Sequence, residues 1–204
     1  MTMNNHYPLS IVHCPFKGNV TLASASPRRK ELLRLAGLDF DVLAPQVEET
    51  LPPGFPPEQC AEYLAAIKAD DVARLRPGHL VIGADTIVVI DGQILGKPND
   101  AEDAARMLRL LSGREHRVIT GVCLRTSVCA RTFSQETLVR FYPLRADEIE
   151  AYIQTVEPMD KAGAYGIQGK GALLVESIAG DYFNVVGLPI ARLMRELRAM
   201  AGGL

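Results

Sequence analysis

The strongest apolar signal in the chain lies between residues 79 and 98, HLVIGADTIVVIDGQILGKP. Leu80, Val81 and Ile82 lead into Gly83-Ala84-Asp85-Thr86, and Ile87, Val88, Val89 and Ile90 continue the run. Aliphatic, largely β-branched side chains fall on both parities, which predicts a central strand buried on both faces. Asp91-Gly92 predicts a tight hairpin turn, and Gly96-Lys97-Pro98 ends the short return strand with a cation.

The remaining pattern alternates strands with amphipathic helices. Residues 19–23 predict an opening strand. A helix follows, with Ser26 as cap, Pro27 in the first turn, an inner face of Leu32, Leu33, Leu35 and Ala36, and Gly37 as its stop. Residues 40–43 predict a second strand. A Pro- and Gly-rich loop then leads to a helix over residues 57–75, with Tyr63, Leu64 and Ile67 as its apolar stripe and Lys68 flanking it. Asn99 or Asp100 caps the next helix, which Ser112-Gly113 stops. Residues 114–124 and 131–142 predict an antiparallel pair. Asp147 starts a helix ending near Thr155, residues 172–177 predict a last strand, and Ile190, Leu193, Met194 and Leu197 face inward from a terminal helix. Together these predict an α/β fold: a mixed, twisted sheet with flanking helices, in two lobes around a central cleft.

At 204 residues with 48% apolar content, the chain is long enough for one sizeable core. Residues 1–18 carry little periodicity and are predicted as an irregular extension to a domain spanning 19–204. A net charge of −2 gives no reason to expect nucleic-acid or membrane association. No run of eighteen apolar residues and no signal-peptide pattern occur, so the expected compartment is the cytoplasm. Four cysteines, at positions 14, 60, 123 and 129, form no CxxC pair, and core packing is expected of them rather than a disulfide or zinc. Cys123 and Cys129 share parity across the predicted hairpin.

Several polar groups stand where the pattern gives them no packing role. Asp85 interrupts a buried strand; it either bonds to backbone at a bend or serves as a catalytic or metal-binding carboxylate. Ser24, Arg28 and Arg29 sit where a strand hands over to a helix N-terminus, a phosphate grip or else a solvated basic turn. Glu48 and Glu49 close a strand and suit a metal or a water-facing loop equally. Four glycines within residues 163–171 form no ordinary helix or strand, and Asp160, Lys161, Tyr165 and Gln168 are polar groups held among them. Gln168 has an amide able to read a base edge. His116, on the apolar side of its strand, is read as a hydrogen-bonded structural residue. The cations with the carboxylates suit a triphosphate plus a divalent ion. There is no GxxxxGK[ST], G-x-S-x-G or HExxH, which removes the usual support for P-loop, serine-hydrolase and zincin readings.

The segments LASASPRRKELL, VIGADTIVV, LGKP, LSGREHRVITGV, EPMDKAGAYGIQGKGALLV and GDYFNVVGLP resemble, in order, the Maf family of nucleoside triphosphate pyrophosphatases. The resemblance implies a two-lobed α/β fold, a divalent cation (Mg²⁺ or Mn²⁺), and hydrolysis between the α and β phosphates. By the same resemblance Asp85 is the proton acceptor; Ser24, Arg28, Arg29, Lys68 and Lys97 hold phosphate. Glu49 is a metal-associated carboxylate, with Asp85 open as a second ligand, and Arg28, Thr86 and Gln168 are tied to choice of base. KAGAYGIQG and NVVGLP resemble the branch acting on dTTP and UTP. Modified pyrimidine or 7-methyl-GTP substrates, or a non-catalytic nucleotide-binding regulator, are the alternatives. The expected partner is a small nucleotide, with a homodimer left open.

Overall fold

A computed structural model describes residues 19–202; the extension expected over residues 1–18, with Cys14, lies outside them. The long apolar segment forms β3 (Leu80–Ile90), buried along most of its length, at the middle of a mixed sheet. On one side it pairs in parallel with β1 (Val20–Ala23), which pairs in parallel with β2 (Asp41–Val42). On the other it pairs antiparallel with β5 (Glu115–Arg125), which continues to β6 (Ala130–Phe141) and β7 (Val175–Gly180). β4 (Gln93–Leu95) folds back on β3 through Asp91 and Gly92. Both turn residues have positive φ (51° and 75°), as a type I′ hairpin requires.

The sheet's two faces are covered differently. Along β3, Val81, Gly83, Asp85, Ile87 and Val89 share the face covered by α2 (Pro57–Leu75). The stripe expected on this helix from Tyr63 and Ile67 is corrected by the structure. Its buried face is Cys60, Ala61, Leu64, Ala65, Lys68, Ala69 and Val72, and Tyr63 and Ile67 are only partly buried. The physical reason is close approach. A Cβ on Gly83 would collide with the Ala65 carbonyl and lie 2.8 Å from Ala69 Cβ, and one on Gly121 would run into Ala61. Glycine on the sheet and alanine on the helix bring the two backbones together and sink Lys68 against the sheet.

The opposite face carries two apolar clusters, one at each end. The first gathers α1 (Pro27–Leu35) and α6 (Ile190–Gly202) against β1 and β3. The second gathers α3 (Ala101–Leu111) and α4 (Ala146–Ile153) against Val88, Val118 and Phe141. These correspond to the two expected lobes, and a cleft of about 990 Å³ opens beside them and reaches the α2 face of the sheet at Leu64, Lys68 and Asp85.

Within the second cluster His116 is 2% exposed and bonds Tyr165 Oη through Nε2 at 2.8 Å. The structural reading of His116 holds, and Tyr165 packs in this core while one side of it borders the cleft. The last strand begins later than expected. Residues 169–174 form 3₁₀ turns because the Glu157 carboxylate accepts from Lys170 N (3.1 Å) and Gly171 N (3.2 Å). Cys60, Cys123 and Cys129 are free thiols.

Candidate active site

Asp85 and Thr86 are neighbours on β3, so their side chains point to opposite faces of the sheet. Asp85 turns toward α2, where Lys68 Nζ meets its Oδ1 at 2.5 Å and Glu49 Oε1 at 2.9 Å. The side chains of Lys68 and Asp85 are 9% and 13% exposed, whereas Glu49, midway along the loop between β2 and α2, is 53% exposed. One ammonium thus bridges two carboxylates, and the pairing relieves the cost of burying the Lys68 and Asp85 charges.

Thr86 turns toward α1. The N-terminus of this helix is built as the sequence suggests: Ser26 caps it, accepting from Arg29 N at 3.4 Å, with Pro27 at its start and no acidic residue in its first turn. Ser24 Oγ, buried, accepts from Ser26 N at 3.1 Å and from Arg29 Nη1 at 3.3 Å. Arg29 also donates through Nη2 to Thr86 Oγ1 at 3.1 Å and through Nε to Gly187 O at 2.9 Å. Burial pulls its guanidinium below its ordinary value, with the charge of Asp85 opposing that shift.

The glycine-rich segment forms the facing wall. Arg28 Nη1 lies 3.9 Å from Asp160 Oδ2, and Lys161 Nζ donates to Asp160 Oδ1 (2.6 Å) and Glu157 O (2.7 Å). A Cβ on Gly166 would lie 2.7 Å from Lys161 Cε, so a larger residue here would displace the Lys161 side chain. Gly163 N donates to Gly96 O at 3.0 Å, tying this wall to the turn that carries Lys97. Lys97 and Gln168 are exposed side chains on the cleft lining.

Ser24, Arg28, Arg29, Glu49, Lys68, Asp85, Thr86, Lys97 and Gln168 therefore all line one cleft. Sequence reasoning gave no cleft role to Glu157. It also left the functions of Asp160 and Lys161 unassigned, although the small residues around them were the available signal.

A divalent ion is compatible with this donor set. Among the described residues no group of three or more His, Cys, Asp or Glu gathers for a metal. Two carboxylates already converge on one cation, Lys68, and Mg²⁺ takes one or two carboxylates, with substrate phosphates and water completing its shell.

The fold and cleft define a mixed-sheet α/β protein equipped for a small polyanion: a helix N-terminus and clustered cations face a carboxylate pair. Residues 19–200 match the family described as "Maf: Maf-like protein", and the chain belongs to that family. It is similar to curated proteins named "dTTP/UTP pyrophosphatase". The one from Bacillus pumilus (strain SAFR-032) is 54% identical over 176 residues, covering 86% of this chain and 93% of the relative. That of Bacillus velezensis (strain DSM 23117 / BGSC 10A6 / LMG 26770 / FZB42) is 55% identical, covering 87% and 94%. That of Bacillus cytotoxicus (strain DSM 22905 / CIP 110041 / 391-98 / NVH 391-98) is 53% identical, covering 89% and 95%. Among the described residues no helix is long and apolar enough to cross a membrane.

Proposed function

We propose that this chain hydrolyses dTTP and UTP to the nucleoside monophosphate and pyrophosphate, with Asp85 as the base that activates water. The observation that carries the reading is the meeting of the Glu49–Lys68–Asp85 triad with the cationic start of α1 in one cleft. The 54% identity to a dTTP/UTP pyrophosphatase supports the choice of substrate.

Ser24, Arg28, Arg29, Lys68 and Lys97 bind phosphate oxygens, with the amides at the start of α1 adding to the grip. Glu49 and Asp85 would hold a Mg²⁺ or Mn²⁺ ion, which would supply neutralisation of charge on those oxygens. Lys68 holds Asp85 Oδ1, which leaves Oδ2 to accept the proton of the attacking water. The water oxygen bonds to phosphorus as the α–β bridging bond breaks, and its electron pair leaves with pyrophosphate. Gln168, exposed at the mouth, reads the base together with Arg28 and Thr86. The free thiols of Cys60, Cys123 and Cys129 agree with work in the reducing cytoplasm.

The test is a product-resolved panel of dTTP, UTP, CTP and 7-methyl-GTP with Mg²⁺ or Mn²⁺. The expected products are dTMP or UMP and pyrophosphate. Orthophosphate with a nucleoside diphosphate, or intact dTTP and UTP, overturns the reading. Preferential loss of 7-methyl-GTP would favour the alternative substrate class.

A further inference from the structure

Behind the cleft wall, a closed ring of hydrogen bonds holds Arg29. Its Nε donates to Gly187 O at 2.9 Å and its Nη2 to Thr86 Oγ1 at 3.1 Å. Gly187 N donates to Asn184 O at 3.0 Å, and the same carbonyl accepts from Thr120 Oγ1 at 2.9 Å. Thr120 Oγ1 in turn lies 2.9 Å from Thr86 Oγ1, which closes the ring. Thr120 sits directly opposite Thr86 in the β3–β5 ladder, so the sheet register brings the two hydroxyls together.

Chemistry determines the direction of every proton in this ring. A carbonyl only accepts, so the single hydroxyl proton of Thr120 goes to Asn184 O. Thr120 then offers Thr86 only lone pairs, and Thr86 has to donate. The lone pair of Thr86 that meets Arg29 accepts its N–H. Thr86 is left with acceptor capacity alone toward the cleft. Three of the five Arg29 N–H groups are engaged, by Gly187, Ser24 and Thr86. Among the described residues this leaves one on each terminal nitrogen, the pairing that takes oxygens in bidentate fashion.

Asn184 anchors the ring to the sheet. Its Nδ2 donates to Val118 O and to Thr137 Oγ1, each at 3.0 Å. Both Thr120 and Asn184 are fully buried, and neither lines the cleft. Neither can touch substrate, so an effect of either on binding is indirect, through Thr86 and Arg29 or through Val185, Val186 and Gly187, which follow Asn184 and line the cleft.

We propose that Thr120 is a positioning residue for the nucleotide: by fixing the hydroxyl direction of Thr86 it aims the Arg29 guanidinium at the phosphates. The proposal rests on reading Arg29 as a phosphate ligand. Thr120→Val keeps the volume and removes the relay, which frees the Thr86 hydroxyl to rotate and leaves the Nη2 side of Arg29 without a fixed acceptor, while Gly187 O and Ser24 Oγ still hold Nε and Nη1.

The experiment compares wild type, Thr120→Val, Thr120→Ser, Thr86→Val and the Thr86→Val/Thr120→Val double variant. It measures KM and kcat for dTTP, and Kd for its α,β-imido analogue by calorimetry. Thr120→Val raises KM and Kd about tenfold, the scale of one bond to a charged group, and changes kcat less than about threefold. Thr120→Ser stays near wild type. In the Thr86→Val background the second substitution adds less than about twofold to Kd, because the Thr86–Thr120 bond is already gone and only the Thr120–Asn184 bond remains to be lost. If the valine variant does not fold, Thr120→Cys carries the same comparison with a weakly donating thiol. Wild-type Kd in Thr120→Val, or a full added loss in the double variant, overturns the proposal. A wild type that binds the analogue but leaves dTTP intact overturns the hydrolase reading alone, and the Kd series still decides the ring. A wild type that binds no analogue overturns both.

Discussion

Gly121→Ala tests the packing that brings Lys68 to Asp85. Gly121 pairs across the ladder with Asp85 and lies under the first turns of α2. A Cβ there would overlap the Ala61 carbonyl and sit 2.5 Å from Glu62 N. Both are helix backbone, so no single side chain can move aside. Ordinary carbon contacts need about 3.5–4 Å, so α2 has to lift by roughly 1 Å. Overpacking of this kind costs about 1–3 kcal/mol. For a chain of this size each kcal/mol lowers Tm by about 2–4 °C, which gives a drop of about 2–12 °C. The same lift separates Lys68 Nζ from Asp85 Oδ1, now 2.5 Å apart, and a misplacement of about 1 Å at a catalytic group costs on the order of 100-fold in rate. Calorimetric melts and dTTP turnover well below the variant's Tm measure the two effects. Gly96→Ala, with nothing within 4 Å of its Cβ, is the control for stability. A Gly121→Ala protein melting within about 1 °C of wild type would refute the close-approach argument.

Asp85→Asn is expected to fold normally and to lose turnover by about 10²–10⁴-fold, the usual range for a general base; near-normal kcat would reassign the base. Gln168→Glu is expected to change the ratio of kcat/KM among dTTP, UTP and CTP more than kcat itself, and an equal loss on every substrate would make Gln168 structural. His116 gives a pH prediction. Burial lowers its pKa from 6.5 to about 4, so the unfolded chain binds a proton that the folded one refuses between those values. Its contribution is therefore complete above about pH 6.5 and is lost as pH falls toward 4, a difference of about 3 kcal/mol at most. Denaturant unfolding of wild type and His116→Gln across pH 4–7 measures it, and equal acid slopes in the two proteins would exclude His116 as the source.

Local chemistry wrote much of this protein into its sequence. The aliphatic run around Asp85 required a central strand. Asp91-Gly92 required a hairpin, and Ser26-Pro27 required a helix start whose amides face outward. These features depend on neighbours in the chain, so one sequence is enough to read them. The glycine-rich segment was legible as unusual, but its outcome was not. Nothing local says that Tyr165 goes to the core with His116, or that Glu157 winds residues 169–174 into 3₁₀ turns. Lys68 flanked a stripe read from the large residues Tyr63 and Ile67. It lies on the buried face because Gly83 and Gly121, 15 and 53 positions away, admit the alanine face of α2. Asp85 and Thr86 could be placed on opposite faces by strand periodicity alone. Only the folded sheet supplies Lys68 and Glu49 to one face and Arg29, Thr120 and Asn184 to the other, because a hydrogen bond depends on distance in space and not on separation along the chain.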